Sequence, residues 1–92
     1  MRNGLELRGR LANLGMQIDC TEPVSSETKC VRIRLETHSL IVMKYAIELI
    51  RLELREEPVQ VHLAADFGKC WAVYDCIDRN SDIVKLFYHP NG

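Results

Sequence analysis

The sequence predicts an α+β fold, a two-layer α/β sandwich in which two helices pack on one face of a largely antiparallel sheet. Three observations predict this class. Residues 40–54 have helical periodicity, several shorter segments alternate apolar and polar residues, and turn-forming residues separate the segments. The expected order of elements is α-β-β-α-β-β-β, in a single domain that spans residues 1–92.

The first helix is predicted from the segment NGLELRGRLANLG. Leu7, Leu11 and Leu14 recur at helical spacing, and Gly15 can end the helix in a left-handed conformation. The part LELRGRL also alternates, so a strand is the competing interpretation. Ala12 and the glycine stop favour the helix.

Two strands follow, and they are expected to form a hairpin. The segment MQIDC alternates apolar and polar residues, and after the polar loop TEPVSSETK the segment CVRIRLE alternates more regularly. The two faces of this second strand carry Val31, Ile33 and Leu35 on one side and Arg32, Arg34 and Glu36 on the other.

The main helix is predicted from LIVMKYAIELIRLEL, residues 40–54, which is apolar at eleven of fifteen positions. Thr37 or Ser39 can cap its start, and Pro58 follows its end. At 100° per residue its polar side chains form a stripe about 60° wide, made by Lys44, Glu48, Arg51 and Arg55. A helix on one sheet needs an apolar arc of somewhat over about 100°, and this helix has more than twice that arc. Part of it is therefore expected to contact something other than its own sheet.

The remaining segments, VQVHLA, CWAVYDCI and IVKLFYH, are predicted to form a meander of three strands. With residues 65–68 as the first turn, Val61 pairs with Ala72 and His62 lies opposite Trp71. With residues 78–82 as the second turn, the expected pairs are Ile77–Ile83, Asp75–Lys85, Val73–Phe87 and Trp71–His89.

Both faces of this meander are rich in apolar side chains. The face expected under the helices carries Val59, Val61, Leu63, Cys70, Ala72, Tyr74, Cys76, Val84, Leu86 and Tyr88. The other face carries Gln60, His62, Trp71, Val73, Asp75, Ile77, Ile83, Lys85, Phe87 and His89. This second set is too apolar for a sheet surface that contacts only water. It predicts either a covering segment, such as the first helix or the 21–29 loop, or a contact surface.

A faint internal repeat raises the hypothesis of a duplication. The tetrapeptide LELR occurs at residues 5–8 and 52–55, and each copy is followed by a strand and then by a second strand that opens with KC. One interpretation is a weak duplication that relates residues 5–36 to residues 52–76. The other is coincidence in a chain rich in Leu, Glu and Arg.

Composition and charge argue against several functional classes. The net charge is −1, so bulk electrostatic binding of phosphates is not expected. No segment reaches the ~18 uncharged apolar residues of a membrane span. The four cysteines form no CxxC pair, and the histidines and acidic residues match no metal motif. We expect a soluble, cytoplasmic protein with free thiols and without a cofactor, a metal site or a membrane contact.

Catalysis is not expected either. A thiol nucleophile needs an imidazole beside it, oriented by a third group. The expected register places His62 and His89 on one face of the meander and Cys70 and Cys76 on the other. The sequence also contains no glycine-rich phosphate loop.

The leading hypothesis is a small, non-catalytic interaction module, with the role of an adaptor, an inhibitor or a chaperone-like protein. It would form a homodimer or bind a partner protein through the surplus apolar face of residues 40–54 or through the meander. The candidate contact residues are Tyr45, Leu49, Leu52, His62, Trp71, Val73, Phe87 and His89.

The alternative hypothesis is a nucleic-acid-binding module. Lys29, Arg32 and Arg34 form a basic strip on the second strand, and Trp71 or Phe87 could stack on bases. Acidic residues flank the strip and the net charge is slightly negative, which favours a solvated strand face instead.

Overall fold

The structure, a computed structural model, describes residues 4–21, 31–76 and 81–87. The elements in chain order are α1 (Gly4–Asn13), β1 (Gln17–Thr21), β2 (Val31–Thr37), α2 (Leu40–Leu54), β3 (Gln60–His62), β4 (Cys70–Cys76) and α3 (Asp82–Phe87). The α+β class is confirmed, with helices packed on an antiparallel sheet. One element differs from the expected order, because the last segment is a helix.

The four strands of the described residues lie in the order β1-β2-β4-β3, and every neighbouring pair is antiparallel. β1 and β2 form the expected hairpin. β3 and β4 have the predicted register, with Val61 opposite Ala72 and His62 opposite Trp71. The two hairpins join through β2 and β4, so these two strands form the centre of the sheet.

The core lies between the sheet and the helices. Cross-strand partners point to the same side of a sheet, so Val31, Ile33 and Leu35 of β2 share a face with Ala72 and Tyr74 of β4. All five side chains are buried in one cluster with apolar residues of α1, α2 and α3. The predicted apolar face of β2 is therefore confirmed, and the helices cover that one face of the sheet.

α2 has the predicted bounds, and its two ends explain them. The Ser39 hydroxyl accepts a hydrogen bond from the Val42 N–H at 3.2 Å, which makes Ser39 the N-cap. Thr37 acts one step earlier, because its hydroxyl accepts from the Ser39 N–H at 3.3 Å. At the other end Arg55 has a left-handed φ of 57°, and its N–H donates to the Arg51 carbonyl oxygen.

The segment predicted as the last strand is α3, and that prediction was wrong because β4 has no free edge. β4 lies between β2 and β3, so a further strand has no place beside it. The spacing of Ile83, Leu86 and Phe87 also fits a helix, and all three are buried against other elements. At the start of the helix the Ser81 hydroxyl accepts a hydrogen bond from the Val84 N–H at 3.4 Å.

Because Asp82–Phe87 is a helix, it does not form the strand pairing that was expected between β4 and the last segment of the chain. Two predicted pairs are wrong, Asp75–Lys85 and Val73–Phe87. Asp75 lies opposite Arg32 instead. Ile77 and His89, which were expected in two further pairs, lie outside the described residues.

The hypothesis of a weak duplication stays a prediction. The two units it relates, residues 5–36 and 52–76, fall on α1-β1-β2 and on the end of α2 followed by β3 and β4. Each unit therefore ends in two strands that are consecutive in the chain and antiparallel to each other. A helix follows each unit, α2 after the first and α3 after the second.

Candidate protein-interaction surface

Exposed apolar side chains are concentrated in one part of the chain. Among the described residues, the large hydrophobic side chains that are exposed all lie between residues 41 and 67. They are Ile41, Tyr45 and Leu52 of α2, Val59, Val61 and Leu63 in and beside β3, and Phe67 in the turn before β4. The candidate surface is therefore formed by α2, β3 and the turn that joins β3 to β4.

The first part of this surface is a stripe on the outer side of α2. At 100° per residue, Ile41, Tyr45 and Leu52 fall within an arc of about 40°. Ile41 is 80% exposed and Leu52 is 69% exposed. The opposite side of the helix, which includes Ala46 and Ile50, is buried in the core. We call the three exposed residues the α2 stripe; they are the part of the apolar arc that the sheet does not cover.

The second part is an open groove between α2 and β3, with a volume of about 530 Å³. α2 packs over the central strands β2 and β4, whereas β3 lies beyond them at the edge of the sheet. Val61 lies on the helix side of the sheet, as its pairing with Ala72 requires, but Val59, Val61 and Leu63 are exposed, so the expectation that the helices cover them was wrong. The groove is lined by Ile47, Pro58, Val61 and Leu63 together with Lys44, Glu48, Arg51 and Glu57.

Three of the charged side chains in this lining neutralise one another in part. Arg51 donates to Glu48 at 2.5 Å and to Glu57 at 2.6 Å, so it connects α2 to the segment that leads into β3. The hydrogen bond to Glu57, followed by the charge of Glu48, raises the pKa of Arg51. One guanidinium and two carboxylates leave this cluster with one negative charge in excess. Lys44, which lies on the same side of the helix, forms no ion pair with any described residue.

The turn between β3 and β4 carries a further exposed aromatic side chain. Residues 65–68 form the predicted turn, in which the Gly68 N–H donates to the Ala65 carbonyl oxygen at 3.3 Å. Asp66 and Phe67 both have left-handed φ values, 56° and 67°. The Phe67 side chain is 95% exposed, although this backbone conformation is unfavourable for a bulky residue. The turn therefore adds one exposed aromatic side chain to the exposed apolar residues in and beside β3.

On the face of the sheet opposite the helices of the described residues, Trp71 lies between two side chains from neighbouring strands. The His62 ring stacks on the indole at a centroid distance of 5.6 Å and an angle of 20°. The Arg34 guanidinium carbon lies 4.9 Å from the ring centroid. Because β4 separates β2 from β3, these two side chains approach Trp71 from opposite sides. The flat faces of the indole are therefore already in contact with residues of this chain.

The basic side chains on the same face are held by carboxylates. Arg32 makes two hydrogen bonds to Asp75, at 2.7 and 2.9 Å, and these lower the pKa of Asp75. Glu36 accepts from Arg34 at 3.1 Å and lies 3.5 Å from the Lys69 ammonium nitrogen. The Arg34 hydrogen bond is the main reason that the pKa of Glu36 is lowered. Lys29, the remaining member of the predicted basic strip, lies outside the described residues.

The residues predicted as contacts from the sequence fall into different environments. Tyr45 and Leu52 are exposed on the α2 stripe. Leu49, Val73 and Phe87 are buried within this chain, so they are not available to a partner. His62 and Trp71 stack on each other, and His89 lies outside the described residues.

Sequence reasoning missed Ile41 and Phe67, as well as the exposure of β3. The signal for Ile41 was present in the sequence. Ile41 lies four residues before Tyr45, and Leu52 lies seven residues after Tyr45, so all three fall on the same side of a helix. The exposure of Val61 had no comparable signal, because it depends on which strand lies at the sheet edge.

The free thiols and His62 of the described residues lie in different places. Cys20 and Cys70 are free thiols, and burial is the main cause that raises the pKa of Cys20. Cys70 points into the core, while His62 lies opposite Trp71 on the other face, as predicted. No group of His, Cys, Asp or Glu side chains in the described part is placed to hold a metal ion.

Comparison with known proteins gives no relative: no family model, no curated protein and no solved structure matches the chain. None of the helices in the described residues is long and apolar enough to cross a membrane. The α2 stripe and the α2–β3 groove are therefore the features from which a function can be argued.

Proposed function

We propose that this protein is a non-catalytic protein-interaction module, in the role of an adaptor, an inhibitor or a chaperone-like protein. The observation that carries the proposal is the concentration of exposed apolar side chains between residues 41 and 67. Scattered single hydrophobic residues are normal on a protein surface, whereas a contiguous group is typical of a contact site. Here Ile41, Tyr45 and Leu52 form such a group on one side of α2.

The α2 stripe is the expected anchor of this contact. Complete burial of a side chain such as Ile41 or Leu52 contributes about 1.5–3 kcal/mol relative to exposure. The aromatic ring of Tyr45 adds a polar hydroxyl to the apolar area, a combination that is common at interface centres. The charged residues beside the stripe supply the polar rim that favours one partner over others.

The nucleic-acid alternative stays a prediction, and the contacts on the open sheet face do not favour it. Phosphate binding by Arg32 and Arg34 would compete with the carboxylates of Asp75 and Glu36. Base stacking on Trp71 would compete with the side chains that already lie against its ring. Affinity for single-stranded nucleic acid that falls steeply with salt concentration would revive this alternative.

We also propose that the protein works in the cytoplasm. Cys20 and Cys70 are free thiols, and Cys70 is buried in the core. Thiols that remain unpaired are typical of a reducing compartment. Mass spectrometry of the protein from its own cells, after alkylation without reduction, should find both thiols modified once the chain is unfolded.

Photo-crosslinking in the cells that naturally make the protein tests the interaction. A photoreactive amino acid at position 52 lies on the α2 stripe, and the matched positions Gln60 and Lys85 are exposed on β3 and α3. We expect one reproducible crosslinked species from position 52 and little or none from position 85. Equal crosslinking from positions 52 and 85 would contradict the proposal. Crosslinking from position 60 alone would place the contact on the face of the sheet that carries Trp71 instead.

A further inference from the structure

The outer side of α2 has a residue pattern that is the same in both directions along the helix. Ile41, Tyr45, Glu48 and Leu52 follow one another at intervals of four, three and four residues. All four are exposed, and at 100° per residue they lie within an arc of about 60°. Intervals of three and four are those of the contact line between two packed helices. The symmetry of the pattern means that this line can pair with an inverted copy of itself.

We propose that α2 packs antiparallel against α2 of a second copy of this chain, around a two-fold axis. This inference rests on the proposed function, because it assigns the partner of the same surface. A two-fold contact uses the same residues on both copies, so each contact occurs twice. Ile41 packs on the partner's Leu52, and Tyr45 packs beside the partner's Glu48.

The charge of Glu48 selects the antiparallel direction. In a parallel pair the two Glu48 side chains would meet each other in the contact line, and like charges placed directly opposite are unfavourable. In the antiparallel pair each Glu48 carboxylate instead meets Tyr45 of the other copy, whose hydroxyl can donate a hydrogen bond to it. The antiparallel arrangement also opposes the two helix dipoles.

Charge complementarity beside the contact line supports the same arrangement. Lys44 and Arg51 lie on one side of the line, seven residues apart. An antiparallel pairing brings Lys44 of each copy towards the Arg51, Glu48 and Glu57 cluster of the other. That cluster has one negative charge in excess, and Lys44 has no ion pair with the described residues of its own chain. The dimer therefore contains two favourable contacts between a lysine and a negatively charged cluster.

The size of the contact sets the expected strength. A helix of 15 residues is about 22 Å long, so pairing through α2 buries less than the ~800 Å² per partner of a standard interface. Interfaces of this size are typical of weak association. Sedimentation equilibrium should therefore cover about 1 µM to about 1 mM, the range in which weak dimers form and dissociate.

Two charge reversals and their mixture test the proposal. Lys44→Glu places a negative charge against the negative cluster, and Glu48→Lys makes the cluster positive against Lys44. Each variant alone should raise the dissociation constant about tenfold or more. An equimolar mixture should restore association to about the wild-type level, because both contacts are then between opposite charges. Circular dichroism of each variant checks that α2 remains folded, and restored association in the mixture itself requires folded chains.

The association of the wild-type chain and that of the two charge-reversal variants test different parts of the proposal. A wild-type chain that is monomeric at about 1 mM overturns the dimer. A dimer whose dissociation constant is unchanged by the two reversals, or is not restored in the mixture, overturns the antiparallel α2 contact. The proposed function fails separately, through the crosslinking at position 52. Crosslinks from that position to a different protein, together with a monomeric wild type, would retain the interaction module and exclude the second copy.

Discussion

Arg32 and Asp75 join the two central strands of the sheet through a pair of hydrogen bonds. The Arg32 Nε donates to Asp75 Oδ1 at 2.7 Å, and its Nη2 donates to Oδ2 at 2.9 Å. The two residues lie directly opposite each other on β2 and β4, on the face that the helices leave uncovered. This planar, two-point contact links the hairpin β1–β2 to the strand that carries Trp71.

We expect this pair to contribute modestly to stability. The Arg32 side chain is 55% exposed, so water screens the interaction and a coupling of about 0.5–1 kcal/mol is expected. Urea unfolding of Arg32→Ala, Asp75→Ala and the double variant measures that coupling. Arg10→Ala with Glu6→Ala provides the control, since that pair lies within a single helix. A coupling no larger than that of the control pair would show that the strands do not depend on this contact.

The same pair predicts a dependence of stability on pH. Arg32 lowers the pKa of Asp75 below its ordinary value of 3.8, so the folded chain releases this proton more readily than the unfolded chain. The stabilisation is therefore present above about pH 4 and is lost as the pH falls through the lowered pKa. Urea midpoints of wild type and Asp75→Asn, measured from pH 7 to pH 2.5, should converge at the acidic end. A constant difference across this range would contradict the assignment.

Arg55 predicts a stabilising substitution at the end of α2. Its φ of 57° is left-handed, a conformation that costs an ordinary residue about 1 kcal/mol and glycine almost nothing. Arg55→Gly should therefore be more stable than Arg55→Ala by about 1 kcal/mol, since both remove the side chain but only glycine relieves the backbone. Thermal or urea unfolding of the two variants gives the difference. If the alanine variant were the more stable, α2 would have to continue past residue 55.

Local patterns were sufficient to predict α2 and the pairing of β3 with β4. The apolar run, the Ser39 cap and Pro58 all act within a few residues of the helix, so the sequence contains its bounds. The turn at residues 65–68 is short, and a short turn fixes which residues of its two strands face each other. Both features are determined by neighbours along the chain.

Features that depend on distant parts of the chain were not predictable in the same way. The apolar residues of segment 82–87 fit either a strand or a helix. The segment cannot add a strand beside β4, because β2 and β3 pair with both edges of β4. Leu49 was expected at the contact surface, but it lies on the side of α2 that faces Leu7 of α1 and is buried there. The sequence pattern predicted surplus apolar surface on α2, and the packing of α2 on β2 and β4 shows which side of the helix remains exposed.

Leu49 and Leu52 provide a matched test of this packing. They belong to the same helix, yet Leu49 is 9% exposed and Leu52 is 69% exposed. Leu49→Ala should cost about 2–4 kcal/mol of unfolding free energy, because it leaves a cavity between α1 and α2. Leu52→Ala should change that free energy by less than about 0.5 kcal/mol in the monomer. Urea unfolding at low protein concentration separates them, and equal losses would mean that the outer side of α2 is covered.

Tyr74 predicts a gain in stability when a buried hydroxyl is removed. Its side chain lies in the core beneath α2, and the hydroxyl has no hydrogen-bond partner among the described residues. An unsatisfied buried hydroxyl is unfavourable, so Tyr74→Phe should be more stable by about 1 kcal/mol at neutral pH. Tyr45→Phe, in which the lost hydroxyl is exposed, is the control and should change stability little.

The gain from Tyr74→Phe should increase at alkaline pH. Burial is the main cause that raises the pKa of Tyr74 above its ordinary value of 10, so the folded chain keeps a proton that the unfolded chain loses. Stability therefore falls as the pH rises above about 10 in the wild type, and the phenylalanine variant lacks this contribution. The other titrating groups are common to both proteins and cancel in the difference. Urea midpoints at pH 7, 9.5 and 10.5 measure this difference; a difference that does not grow with rising pH would mean that the hydroxyl ionises as readily in the folded chain as in the unfolded chain.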